Sequence, residues 1–337
     1  MVGGLLATWV FRRRRRLASA ASISRSRSSL ARLGLNPLGQ RLVAFNVVVL
    51  VVDVLFFPAR GLTIEWSTVW FSAVLLSAIV IVWLNFYFVP GAPKEWFTAE
   101  VMFVAFLMVL LTNVVAPLQY GAVAMGSRYA DPWLASADAT MGVHVPTLVA
   151  WTRAHPATSL LATLTYFTFL PQLVLTVMAL AALRERDRLW EFAFHFHVCL
   201  IVTIAALAVW PAVCAPAYYG FAPTIDMTRT IAQIKGFHEG STTVVRFDDL
   251  DGLVSFPSFH VVGALLVTWA FRHRRRILIP LIVLNAGLVI STVITGEHYV
   301  VDVLAAVPLF VGSLAAYQWG GQALLTAEEL VPRSKAA

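Results

Sequence analysis

The chain has 337 residues, 59% of them hydrophobic and only 13% charged, and a formal net charge of +7. Water-soluble domains carry about 25% charged and about 45–50% apolar residues, so this chain lacks the polar surface to cover itself, which excludes an ordinary cytosolic enzyme and a disordered protein. The positive charge does not signal nucleic acid: the basic residues gather at the ends of apolar runs, the pattern of membrane topology.

In chain order, residues 1–41 form a basic tail. It holds nine arginines (Arg12 to Arg16, Arg25, Arg27, Arg32 and Arg41) and no acidic residue. The apolar stretch Leu5–Phe11 precedes the arginines, the reverse of a secretory signal peptide. A disordered cytoplasmic tail lying against anionic lipid is expected, although the composition also suits a transit peptide. Eight apolar stretches follow, at about 42–58, 67–89, 98–119, 157–183, 192–214, 255–271, 277–296 and 298–319. Each is long enough to be read as a membrane-crossing helix. With the N-terminus inside, nineteen of the 25 Lys and Arg residues fall on the inner side and six on the outer side, in agreement with the positive-inside rule.

The expected fold is therefore an all-α, polytopic membrane helical bundle of about eight transmembrane helices. Residues 42–119 supply three N-terminal helices, 120–156 an outer interfacial segment anchored by Trp133 and Trp151, 157–320 a catalytic membrane domain, and 321–337 a short tail. Cys199 and Cys214, both in the fifth stretch, are read as packing residues. His195 and His197, at the inner end of that stretch, are read as interfacial.

Two segments carry chemistry. Ser255-Phe256-Pro257-Ser258-Phe259-His260 opens the sixth stretch and His298-Tyr299-Val300-Val301-Asp302 opens the eighth. Two helices and one inner turn join them, so both are expected at the outer face. Proline fixes a helix start, Ser258 can cap it, and the uncapped amides of the first turn suit a phosphate. His298 and Asp302 stand at i and i+4, on one helix face. A carboxylate on one imidazole nitrogen sets the tautomer and leaves the other nitrogen nucleophilic. Two histidines and an aspartate around an anion site point to phosphoryl transfer: His298 attacks phosphorus, and His260 protonates the leaving oxygen and then activates the acceptor.

At these residues the chain resembles the type 2 phosphatidic acid phosphatase superfamily, whose members carry Pro-Ser-x-His and, later, Ser-Arg-x5-His-x3-Asp. The first motif is matched by Pro257-Ser258-Phe259-His260. In the second, Ser291, His298 and Asp302 match, while Thr292 stands where the family has arginine. A further upstream motif, Lys-x6-Arg-Pro, is absent. These departures resemble the inositol phosphorylceramide synthase-like branch, an inositolphosphotransferase group of sphingolipid metabolism. The resemblance implies a six-helix phosphatase-like core and a phosphohistidine mechanism that needs no metal or cofactor. It makes His298 the nucleophile, His260 the acid and Asp302 its orienter. With the family arginines missing, the phosphate is expected to rest on Ser258 and on an outer-loop cation among Arg229, Lys235, His238 and Arg246, of which Lys235 and Arg246 are chosen.

The expected activity is thus transfer or hydrolysis of a lipid phosphoester at the outer leaflet of a bacterial plasma membrane. The partners are a lipid phosphoester donor and a lipid alcohol or water as acceptor, with no nucleic acid. Phosphatidic acid or prenyl diphosphate hydrolysis is the alternative within the class. Outside it stand a proton-coupled transporter using His298, Asp302 and Asp53, and a catalytically dead scaffold.

Overall fold

The computed structural model describes residues 36–88, 96–126 and 128–321; the basic tail before Asn36 and the tail after Gly321 lie outside these. The first helix, α1 (Pro37–Ala59), begins about five residues before the apolar run. Asn36 accepts the Gly39 amide at 2.7 Å and Pro37 follows it, a capped proline start that draws Arg41 into the helix. Helices α2 (Trp70–Phe88) and α3 (Trp96–Val123) follow, with α3 packed among α1, α2 and a later helix, Arg186–Val209.

The interfacial segment is two short helices, α4 (Asp131–Thr140) and α5 (Val145–Ala154). Trp133 and Trp151 are half exposed there. The fourth predicted span is broken into α6 (Pro156–Tyr166) and α7 (Phe169–Ala182), bent by 43°. Helix α8 (Arg186–Val209) stops short of Cys214, which sits in the turn leading to the short helix α9 (Ala215–Tyr219). Helix α10 (Thr228–Glu239) crosses the site end of the bundle, and α11 (Phe259–Ala270), α12 (Arg275–Ile294) and α13 (Val300–Ala316) complete it.

The result is an all-α polytopic membrane bundle. Five of the described helices are long and apolar enough to cross a bilayer, or six if α6 and α7 count as one span. Of the other two predicted spans, α2 is apolar over Trp70–Leu84 and α11 is a short apolar helix. At 12 residues, α11 is only about 18 Å long, shorter than the ~30 Å hydrocarbon layer. Large apolar side chains such as Leu55, Val174 and Val283 face outward, as an acyl-chain solvent requires. His195 and His197 are not interfacial as expected but fully buried, with His197 beside Asn46 of α1 at 3.1 Å.

Ion pairs close the end of the bundle away from the site. Arg272 binds both carboxylate oxygens of Glu191 at 2.8 Å, and Arg186 reaches Glu100 at 2.6 Å. At the site end the loop before α11 is fixed by α3. Gln119 donates to the Asp251 carbonyl at 2.7 Å and accepts the Leu253 amide at 3.0 Å, and the Tyr120 hydroxyl accepts the Asp251 amide at 3.0 Å. A two-residue parallel pairing, Thr63–Ile64 with Val244–Val245, ties the α1–α2 connection to the same region.

Candidate active site

Helix α11 is centrally placed, packed on α7, α8, α12 and α13. Ser258 is its N-cap and accepts the Val261 amide through Oγ. With Val262 bonded to the Ser258 carbonyl, the amides of Phe259 and His260 have no acceptor within the helix. Ser258 itself is fully buried, so it shapes this turn rather than lining open space.

Gly296, at φ +98°, turns the chain out of α12. The His298 amide then donates back to the Thr292 carbonyl at 3.0 Å. Thr292, in the position of the family arginine, is completely buried and contributes that carbonyl instead of a cation.

Asp302 lies in the first turn of α13, wholly buried. Its Oδ2 receives the Ser255 hydroxyl at 3.0 Å, the Tyr299 amide at 2.9 Å and His298 Nδ1 at 3.3 Å. An ionised carboxylate only accepts, so Nδ1 carries the proton and the lone pair stays on Nε2. The rings of His260 and His298 are 5.8 Å apart between centroids. His260 is held between Tyr166 and Phe169, each at 4.5 Å, the residues that flank the break between α6 and α7.

Both histidines line a cavity of about 620 Å³. Its lining includes the apolar side chains Val115, Leu170, Leu200 and Ile204 and the polar ones Asp226, Arg229, Thr230, Asp251 and Glu297. Arg229 reaches Asp249 at 3.2 Å and Asp251 at 3.5 Å. Burial pushes the Glu297 carboxyl above the usual range.

The structure therefore brings together His260, His298 and Asp302, with Ser258 as the cap beneath them. It does not bring in the two expected cations. Lys235 is exposed and does not line the cavity, and Arg246 is engaged by Glu65 at 2.7 Å and Asp248 at 2.9 Å. Arg229 is the one arginine or lysine lining the cavity among the described residues.

Sequence reasoning missed two carboxylates on α4. Asp131 accepts the amides of Val213 and Cys214 at 2.8 and 3.0 Å and the Tyr299 hydroxyl at 3.0 Å. Asp138 accepts the amides of Val300 and Val301, each at 2.9 Å. Burial raises both carboxyls and these donors lower them. The one local signal was their spacing of seven on a helix whose intervening buried positions are Leu134 and Ala135.

A helical membrane bundle thus gathers two histidines and a buried aspartate at one cavity with both apolar and polar lining. Residues 132–316 match the family described as the PAP2 superfamily, and with more than half of the chain matched, the protein belongs to that superfamily of phosphatase-type membrane enzymes. Among curated proteins and solved structures, none matches the chain.

Proposed function

We propose that the protein transfers or hydrolyses a lipid phosphoester through a phosphohistidine on His298. The observation that carries this reading is the 5.8 Å approach of two imidazoles at a cavity lined by both apolar and polar side chains. The apolar side chains suit lipid chains, and the polar ones suit the phosphoester and its headgroup. His298 Nε2 attacks phosphorus, the ester P–O bond breaks, and the leaving oxygen takes a proton from His260. The acceptor hydroxyl then gives its proton to His260 and attacks phosphorus, the P–N bond breaks, and His298 is restored. Asp302 keeps the Nδ1 proton in place and stabilises the ring as it gains charge.

The phosphate oxygens rest on the free amides of Phe259 and His260 and on Arg229, which takes the place expected for Lys235 and Arg246. Developing charge held by such preorganised donors needs no metal in the step. The excess of Lys and Arg at the opposite side of the bundle supports an outer-leaflet site, in a bacterial plasma membrane. The motif form, with Thr292 for arginine, favours transfer to a lipid alcohol, as in the inositol phosphorylceramide synthase-like branch; water as acceptor gives hydrolysis of phosphatidic acid or prenyl diphosphate from the same intermediate.

The test is to incubate purified protein in lipid micelles with phosphorus-labelled lipid phosphoesters, in the presence of chelator, and to trap the enzyme. An acid-labile, alkali-stable label on the peptide containing His298, discharged by an added lipid alcohol, is expected. Turnover without such a label, or strictly dependent on a divalent ion, overturns the mechanism. Discharge by water alone selects hydrolysis.

A further inference from the structure

We infer that Asp138, with Asp131 two turns earlier on the same face of α4, is a positioning residue that sets the nucleophile from outside the cavity. The inference rests on the reading of His298 as the reacting group. Asp131, Leu134, Ala135 and Asp138 form the buried stripe of α4, at the i, i+3, i+4, i+7 spacing of one helix face. The stripe packs against α13 and α9, and its Leu134 and Ala135 share an apolar cluster with Tyr299, the residue after His298.

Each carboxylate then takes main-chain or hydroxyl donors from that turn. The two oxygens of Asp138 take the first two amides of α13, Val300 and Val301. Asp131 takes the Tyr299 hydroxyl and the two amides of the Val213–Cys214 turn. His298 is thus followed directly by three residues pinned to α4. Behind it, its own amide is fixed to Thr292.

Neither carboxylate has an ion-pair partner among the described residues, and both are 1% exposed. Burying an unpaired carboxylate is costly unless its oxygens are filled by donors, and here they are filled by one turn of backbone. A hydrophobic pair would seal the same interface without that cost but would not fix the turn's register. The negative charge also complements the helix N-terminus it caps. It follows that the two helix starts differ. The start of α13 is filled by the protein's own carboxylate, and the start of α11 is left open beside His260.

The experiment compares wild type with Asp138→Ala, Asp138→Asn and Asp138→Glu in micelles, by steady-state kinetics with a lipid phosphoester and by hydrogen exchange of peptides covering residues 296–303. Asp138→Ala is expected to lower kcat on the order of 10²-fold, as misplacement of a reacting group by about 1 Å does, with KM nearly unchanged. Exchange is expected to speed up in 296–303 and not in α8 or α11. Asp138→Asn, which keeps one acceptor oxygen, should fall between, and Asp138→Glu should recover part of the rate. If Asp138→Ala does not fold, Asp138→Asn decides by the same two readings. Unchanged exchange at 296–303, or an unchanged kcat, overturns the inference. If wild type turns over no lipid phosphoester, the functional reading fails while the exchange measurement still decides whether Asp138 fixes the His298 turn.

Discussion

The Ser258 amide donates to the Asp302 carbonyl at 3.1 Å, joining the cap of α11 to the first turn of α13 main chain to main chain. The spacing of the two histidines is therefore set by backbone, and the Ser255 hydroxyl on Asp302 repeats the link with a side chain. Asp302→Asn keeps the volume but loses the charge that stabilises the His298 ring. It is expected to lower kcat on the order of 10²–10⁴-fold, while the melting temperature shifts little. Ser255→Ala, which removes one of three donors, should lower kcat less. Assays of kcat beside thermal melts check this, and full turnover in Asp302→Asn removes Asp302 from the mechanism.

Arg229 stands at the cavity wall between Asp249 and Asp251, which aim it without burying it. Losing one donor to a phosphoryl transition state typically costs on the order of 10²–10³ in rate, and Arg229→Ala is expected to lose that much in kcat/KM. Arg229→Lys should recover only part, since a single ammonium replaces a two-pronged guanidinium. Lys235→Ala and Arg246→Ala are expected to leave kcat/KM close to wild type. The reverse ranking in parallel kinetics returns the phosphate to the outer loop.

The parts of the site that were legible in the sequence are the parts made by local spacing. His298 and Asp302 meet because four residues make one helical turn, and Ser258 caps because it follows Pro257 at an apolar run. The contributions of Asp131 and Asp138 were not legible, since their partners lie 82 to 168 positions away along the chain. Charge alone suggested Lys235 and Arg246; which basic side chain reaches the cavity depends on how α10 and the 246–255 loop are pinned to Gln119, Tyr120 and Gln233. The helices of the bundle were visible as apolar runs. The break in the fourth span was legible as Pro171, which has no N–H for the carbonyl of Phe167 four residues back, where α6 gives way to α7.

Glu297 faces the cavity next to His298, and burial raises its carboxyl above the ordinary range. Below that raised value it is neutral and does not oppose an incoming phosphate; above it, it is ionised and repels one. The kcat/KM of the wild type is therefore expected to fall as pH rises through the Glu297 titration. Glu297→Gln removes the titrating charge and should flatten that limb of the profile. An identical limb in Glu297→Gln assigns it to another group.

Gly263 lies one turn into α11, where an added Cβ would come within 2.3 Å of Phe169 Cε2. That ring packs on His260 at 4.5 Å, so the glycine lets α7 close against α11 and brace the histidine. In Gly263→Ala the Phe169 ring must move, and the direction open to it changes the slot that holds His260. Overpacking of this kind costs about 1–3 kcal/mol, partly offset by alanine's better helix propensity, about 1 kcal/mol. A modest fall in melting temperature is expected together with a larger proportional fall in kcat. Gly263→Ala combined with Phe169→Leu, which frees the space, should regain stability, yet lack the ring that braces His260 and stay slow. Full recovery of kcat in the double variant would show that Phe169 only fills volume.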